Sequence, residues 1–257
     1  MKINAAKRLS TVRRGAAGLA VAAVLATTAV GAAGAPALAA DTPADSVPTF
    51  AFGDCPDLPA GVDPAQWRCE VLTATGSLTL GNRTVPALAP MTITHAEGPL
   101  PDGSAGQVFG ALRAAPTAVP GGLLGIPGTD HGRALALSLR PEYGGRSDFY
   151  STGDSLGLFT MRFGLHGRLL PKGCTIGADT PVELRLRRVG GAERVSKNPP
   201  IIKFDAYDDT FGVPSAQGCG PLGRLLDDRL GLPAATGNSL SLTAYYTYRT
   251  YDQLPSS

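Results

Sequence analysis

The chain has 257 residues, 43% hydrophobic and 17% charged, with 23 Lys and Arg against 21 Asp and Glu, a formal net of +2. Lys2, Lys7, Arg8, Arg13 and Arg14 supply five of the bases; taking those from 23 leaves 18 against 21 beyond residue 40, a net of −3. A mildly acidic domain lacks the basic footprint of a nucleic-acid binder, so no nucleic-acid partner is expected.

Residues 1–40 read as a secretory signal peptide. A basic start without an acid is followed by an Ala/Val/Leu/Gly run from Gly15 to about Gly34, and then by small residues around Ala37-Leu38-Ala39, the order of n-region, h-region and A-x-A cleavage site. Cleavage is expected after Ala39 or Ala40. The run is too rich in Ala and Gly for a retained anchor, so the expected product is secreted and has no membrane span. Arg13-Arg14 lacks the bulky apolar residue usual after a twin-arginine pair, which favours the general secretory route.

Residues 41–50 read as a flexible leader and 51–257 as one domain. Ala51–Gln66 and Gly121–Arg133 are rich in Gly, Pro and Asp and read as ordered loops. Period-two alternation dominates the rest. It places Leu72, Ala74, Leu78 and Leu80 on one face, then Leu135, Leu137 and Leu139, then Phe159, Met161 and Phe163, then Val182, Leu184 and Leu186 within a strand running to Arg188. Near the C-terminus Leu240, Leu242, Ala244, Tyr246 and Tyr248 oppose Ser239, Ser241, Thr243, Tyr245 and Thr247, and further strands are expected at Met91–His95 and Ile201–Tyr207. Gly81-Asn82, Pro101-Asp-Gly103, Pro120-Gly-Gly122 and Gly190-Gly191 supply turns. The expected fold is mostly β, an antiparallel β-sandwich of eight or nine strands with one short helix in its C-terminal half. That helix follows from Pro221, the spacing of Leu222, Leu225, Leu226 and Leu230, and the Gly231 stop before Pro233, with Asp227, Asp228 and Arg229 toward solvent.

Four cysteines, Cys55, Cys69, Cys174 and Cys219, all lie beyond the leader. An even number in an oxidising compartment reads as two disulfides. Of three connectivities, chain proximity favours Cys55 with Cys69 and Cys174 with Cys219. Zinc-site spacing is absent, so neither metal nor cofactor is expected.

No G-x-S-x-G elbow, H-E-x-x-H pair or P-loop occurs. Any imidazole chemistry must draw on His95, His131 or His166. Asp130-His131 sits in a Gly-rich loop, the kind of place where function concentrates, and a hydrolase would use it with Asp148, Asp154, Ser147 or Ser155. Acid pairs for glycoside hydrolysis would come from Asp205, Asp208 and Asp209, or from Asp227 and Asp228. By parity Tyr246 and Tyr248 face the core and leave Tyr245 and Tyr251 outward, where aromatic rings can stack on cell-wall glycan.

The strings Leu170-Pro-Lys-Gly-Cys-Thr-Ile-Gly177, Phe211-Gly-Val-Pro-Ser-Ala-Gln-Gly-Cys-Gly-Pro-Leu222 and Gly231-Leu-Pro-Ala-Ala-Thr-Gly-Asn-Ser239 resemble a group of secreted actinobacterial proteins of uncharacterised function. Their pattern reads G-C-x-I-G, F-x-V-P-x-A-x-G-C-G and G-L-P-S/A-x-x-G-x-N, and covers about residues 165 to 245. The resemblance implies export and a bridge between Cys174 and Cys219; it carries no catalytic or binding residue. The expected function is binding or a structural role at the bacterial cell envelope. A secreted hydrolase with its site in the His131 loop and a homo-oligomeric surface component built through sheet edges are the alternatives.

Overall fold

Residues 46–254 are described in a computed structural model. The expected signal peptide and the first half of the leader lie outside the described residues. The strands are β1 (Arg68–Leu80), β2 (Arg83–Pro99), β3 (Ala105–Ala114), β4 (Thr117–Ala118), β5 (Ser138–Asp148), β6 (Leu158–His166), β7 (Thr175–Ile176), β8 (Val182–Leu184), β9 (Arg187–Lys197), β10 (Pro200–Asp208), β11 (Ala216–Gln217) and β12 (Ser239–Thr250); one helix, α1, spans Gly223–Leu230. They form two antiparallel sheets. The first has the order β3-β2-β1-β12-β10-β9; the second has the order β11-β7-β6-β5-β4, with β8 also on β6.

The mostly β sandwich is as the alternation predicts, but the described residues hold twelve strands where eight or nine are expected. Four of them, β4, β7, β8 and β11, are only two or three residues long, too short to show a period. The inner face of the first sheet carries Ala74, Leu78, Met91, Leu240 and Ala244, which pack in one core with Leu139, Phe159, Met161, Phe163, Leu165, Val182 and Leu184 of the second. Apolar burial of this kind contributes about 25 cal/mol per Å².

Several expectations are corrected. The run Val182–Arg188 is not one strand: β8 belongs to the second sheet and β9 to the first, and the chain crosses between them at Arg185-Leu186. Asp208, fully buried, holds this crossing by accepting from the Arg185 amide at 2.6 Å and from the Thr210 amide and hydroxyl at 2.8 and 2.7 Å. Gly190-Gly191 makes no turn but a bulge inside β9, where the register against β10 slips between Lys203 and Asp205. Leu135 and Leu137 precede β5, and their carbonyls accept from Leu123 and Val119. Thr247 is buried rather than outward, its hydroxyl donating to Pro200 O at 2.7 Å.

One end of the sandwich is closed by α1. Leu226 and Leu230 are buried in the core, and the last helical carbonyls are met by the β1–β2 turn: Asn82 N donates to Leu230 O at 2.9 Å and Arg83 Nε to Arg229 O at 3.0 Å. The turn must be Gly81, at φ 57°, because a Cβ there would stand 2.2 Å from Leu230 O. Asp227 is half-buried and accepts from Ala216 N at 2.8 Å instead of pointing to solvent. Buried Asn238 ties three segments together by accepting from Gly81 N and donating to Phe211 O and Ala234 O at 2.8, 2.9 and 3.1 Å. The Cys174–Cys219 disulfide joins the entrance of β7 to the turn before α1.

Within the segment 46–66, residues 52–56 lie against the outer face of the first sheet at the other end. The Cys55–Cys69 disulfide, a bidentate Arg113–Asp54 pair at 2.8 and 3.0 Å and the Arg249 guanidinium over the Phe52 ring fasten it. Beneath and beside it Cys69, Val71, Thr94 and Ala96 are buried, and so is Trp67, whose indole N–H donates to Pro99 O at 2.8 Å.

Candidate functional site

Pairing aligns the inner residues of β1, β2, β10 and β12 in rows. Ala74 stands between Met91 and Ala244; two residues on, Leu72 lies between Ile93 and Tyr246, with Ile202 beyond Tyr246. The next row is His95, Glu70 and Tyr248, and the last is Glu97, Arg68 and Thr250. With side chains alternating along each strand, the core-facing surface thus changes over three rows from apolar to charged.

The connection 149–157 between β5 and β6 faces these rows, and the Phe149 ring stacks on His95 with centroids 4.3 Å apart. The connection is built onto the crossing: Leu156 N donates to Leu186 O and Arg188 N to Asp154 O, at 2.9 and 2.7 Å. Between it and the first sheet the sandwich is unfilled. A cleft of about 550 Å³ is walled by Leu72, Ile93, Ile202, Phe204 and Leu242 on one side and by Leu158, Phe159, Met161 and Leu186 on the other, with Tyr246 and the Arg68, Glu70, His95, Glu97 cluster at its polar end. Its size and its largely apolar walls with few polar groups fit small-molecule sites in general.

Arg68 bonds Glu97 directly, lies 3.6 Å from Glu70 and covers the Tyr248 ring at 4.9 Å. Burial, together with the charge of Glu97, pushes the Glu70 carboxyl up to about 7 against the opposing pull of Arg68. Burial pushes the His95 imidazole down to about 4; Glu97 opposes this and Arg68 adds to it. At neutral pH His95 is therefore uncharged. Its Nε2 lies 3.7 Å from Glu70 Oε2, outside hydrogen-bonding distance, and its Nδ1 has no hydrogen-bond partner. A buried polar atom without a partner costs free energy and calls for a ligand, water or strain as its explanation.

The residues singled out in the sequence lie elsewhere. Asp130 is half-buried and His131 exposed in a 3-10 turn, Thr129–His131; neither lines the cleft, and no hydrogen bond joins His131 to Ser147, Ser155, Asp148 or Asp154 among the described residues. Tyr245 is half-buried on the outer face, with the Lys203 ammonium 5.6 Å from its ring centre. The Tyr251 hydroxyl donates to Pro56 O at 2.6 Å, fastening the segment 46–66, and burial pushes this phenol up to about 12. Asp205 accepts from Thr243, Asp208 holds the crossing and Asp209 pairs with Arg187. No group of three or more His, Cys, Asp or Glu is placed to hold a metal among the described residues.

Of the cleft's polar end, His95 alone was among the sequence candidates. The missed signal was parity: Arg68 and Glu70 share the face of Leu72 and Ala74, and His95 and Glu97 share that of Met91 and Ile93. A shallower basin outside the cleft, lined by Arg146, Arg185 and Arg187, shares Tyr150, Gly157 and Leu158 with it. Each of its guanidiniums is already paired, two with Glu183 and one with Asp209. Compared with known proteins, the chain matches no family model, no curated protein and no solved structure.

Proposed function

We propose that this chain is an extracytoplasmic binding protein of a bacterial cell envelope, taking an apolar or amphipathic small molecule into the cleft between its two sheets. The observation that carries the reading is the unfilled interior. Protein cores are packed at crystal-like density, whereas here about 550 Å³ stands open between apolar walls and ends at a buried imidazole without a hydrogen bond. The two disulfides and the signal-like leader support an oxidising compartment, and no helix among the described residues is long and apolar enough to cross a membrane.

The test is a titration of the oxidised protein with a fluorescent fatty-chain probe, repeated with a Leu72→Trp variant that fills the cleft. Saturable one-to-one binding that Leu72→Trp abolishes, with an unchanged unfolding midpoint, supports the reading. No saturable binding, or binding that survives a folded Leu72→Trp variant, overturns it.

A further inference from the structure

We infer that the cleft selects a neutral amphipathic molecule whose polar end is a hydroxyl group hydrogen-bonded to the His95 imidazole. This rests on the cleft being a ligand site, as proposed above, and names the class of ligand.

The imidazole side chain is only 8% exposed and lines the cleft, yet neither of its nitrogens makes a hydrogen bond. An uncharged imidazole presents one donor and one acceptor. A hydroxyl can answer either, because it both donates and accepts. A carboxylate or phosphate only accepts and would enter beside Glu70 and Glu97; an ammonium only donates.

The cost of desolvation points the same way. The cleft is lined by two guanidiniums, Arg68 and Arg188, and two carboxyls, Glu70 and Glu97. Arg68 is engaged by both acids and Arg188 donates to Gly153 O at 3.1 Å. A charged head group would leave water, which is costly, and an anion would be drawn to Arg188 rather than to the imidazole; a hydroxyl costs far less to desolvate and can bond an imidazole that no protein group bonds. The apolar walls leading to His95 then take the hydrocarbon part.

Displacement of the fluorescent probe at pH 7 by decanol, decyl methyl ether, decanoate and decylamine tests the assignment, since the four share a chain and differ in head group. The expected result is that decanol displaces the probe about tenfold more tightly than each of the others, the worth of one good hydrogen bond. A His95→Phe variant, its own probe affinity measured first, should bind decanol and the ether equally, and His95→Asn, which keeps a donor and an acceptor, should restore the preference. The assignment is overturned if the ether matches decanol in the parent protein, if a charged head group binds best, or if a folded His95→Phe variant keeps the tenfold difference. Failure of the probe and of all four compounds to bind would instead remove the cleft reading and the hydroxyl assignment with it; probe binding without discrimination removes the hydroxyl assignment alone.

Discussion

The two ends of the sandwich are built from the same alternating strands, yet they finish differently. At the α1 end the inner rows run on through Leu78, Leu80 and Leu240 into Leu226 and Leu230, and Asn238 and the carbonyls of Arg229 and Leu230 have partners there. At the other end the rows stop being apolar at Glu70 and His95, the interior is hollow, and a buried nitrogen is unsatisfied. One end spends its polar groups on stability; the other holds polar groups in reserve. Sites that violate the packing and satisfaction rules are where function is expected.

If that contrast is right, substitutions at the two ends should separate stability from binding. The largest effect is expected from Cys174→Ser with Cys219→Ser, which opens a 45-residue loop and should cost about 4 kcal/mol in the chain-entropy account, read from denaturant midpoints, with probe affinity retained under native conditions. Asn238→Ala should follow at about 3 kcal/mol, because it orphans Gly81 N and Phe211 O together and leaves Ala234 O with the Val213 amide alone. Leu226→Ala should cost about 3 kcal/mol, and Ile93→Ala, whose side chain already borders open space, about 1 kcal/mol; equal costs would erase the distinction between the ends.

The smallest effect is on the net pH dependence of the parent protein, where two shifts oppose each other. Glu70, raised in the folded state from 4.5 to about 7, makes stability fall as pH rises across that window. His95, lowered from 6.5 to about 4, makes stability rise as pH rises from 4 to 6.5. The two slopes oppose each other between 4.5 and 6.5. His95→Phe should therefore expose a stability that declines from pH 4.5 to 7, and Glu70→Gln one that climbs from pH 4 to 6.5, both followed by thermal unfolding; parallel profiles for the two variants would break the assignment.

How far the sequence could be read follows the same division. Where one face is core and the other is open, alternation suffices: Leu72, Ala74, Leu78 and Leu80 in β1 and Leu240, Leu242 and Ala244 in β12 point inward as their parity predicts. Both disulfide pairs and the helix Gly223–Leu230 were legible from spacing and from turn chemistry. Where both faces are covered the period dissolves, as at Trp67, Cys69 and Val71, buried on the outer face of a strand whose inner face also faces protein. β9 failed for the opposite reason, being exposed along almost its whole length, so no burial pattern marks it. Charged residues at a strand end ordinarily signal departure from the core, and only the pairing of β1 with β2 shows that Arg68, Glu70, His95 and Glu97 form one inward cluster. Tyr246 was correctly read as inward, but its half-buried state reflects the hollow it lines.

The pairing of β1 with β12 bears on how the chain acquires this structure. These strands sit at the centre of the first sheet, in register from Arg68 with Thr250 to Thr79 with Ser239, although most of the described chain lies between them. Contacts so distant in sequence are slow to form, since the loop-closure entropy precedes their reward. Until the last strand arrives, β1 to β3 and β9 to β10 are two unconnected fragments of a sheet, and the cleft lacks the wall that Leu242, Ala244 and Tyr246 provide. β12 therefore completes the centre of the first sheet and one wall of the cleft together, so the cleft can form no sooner than β1 and β12 pair.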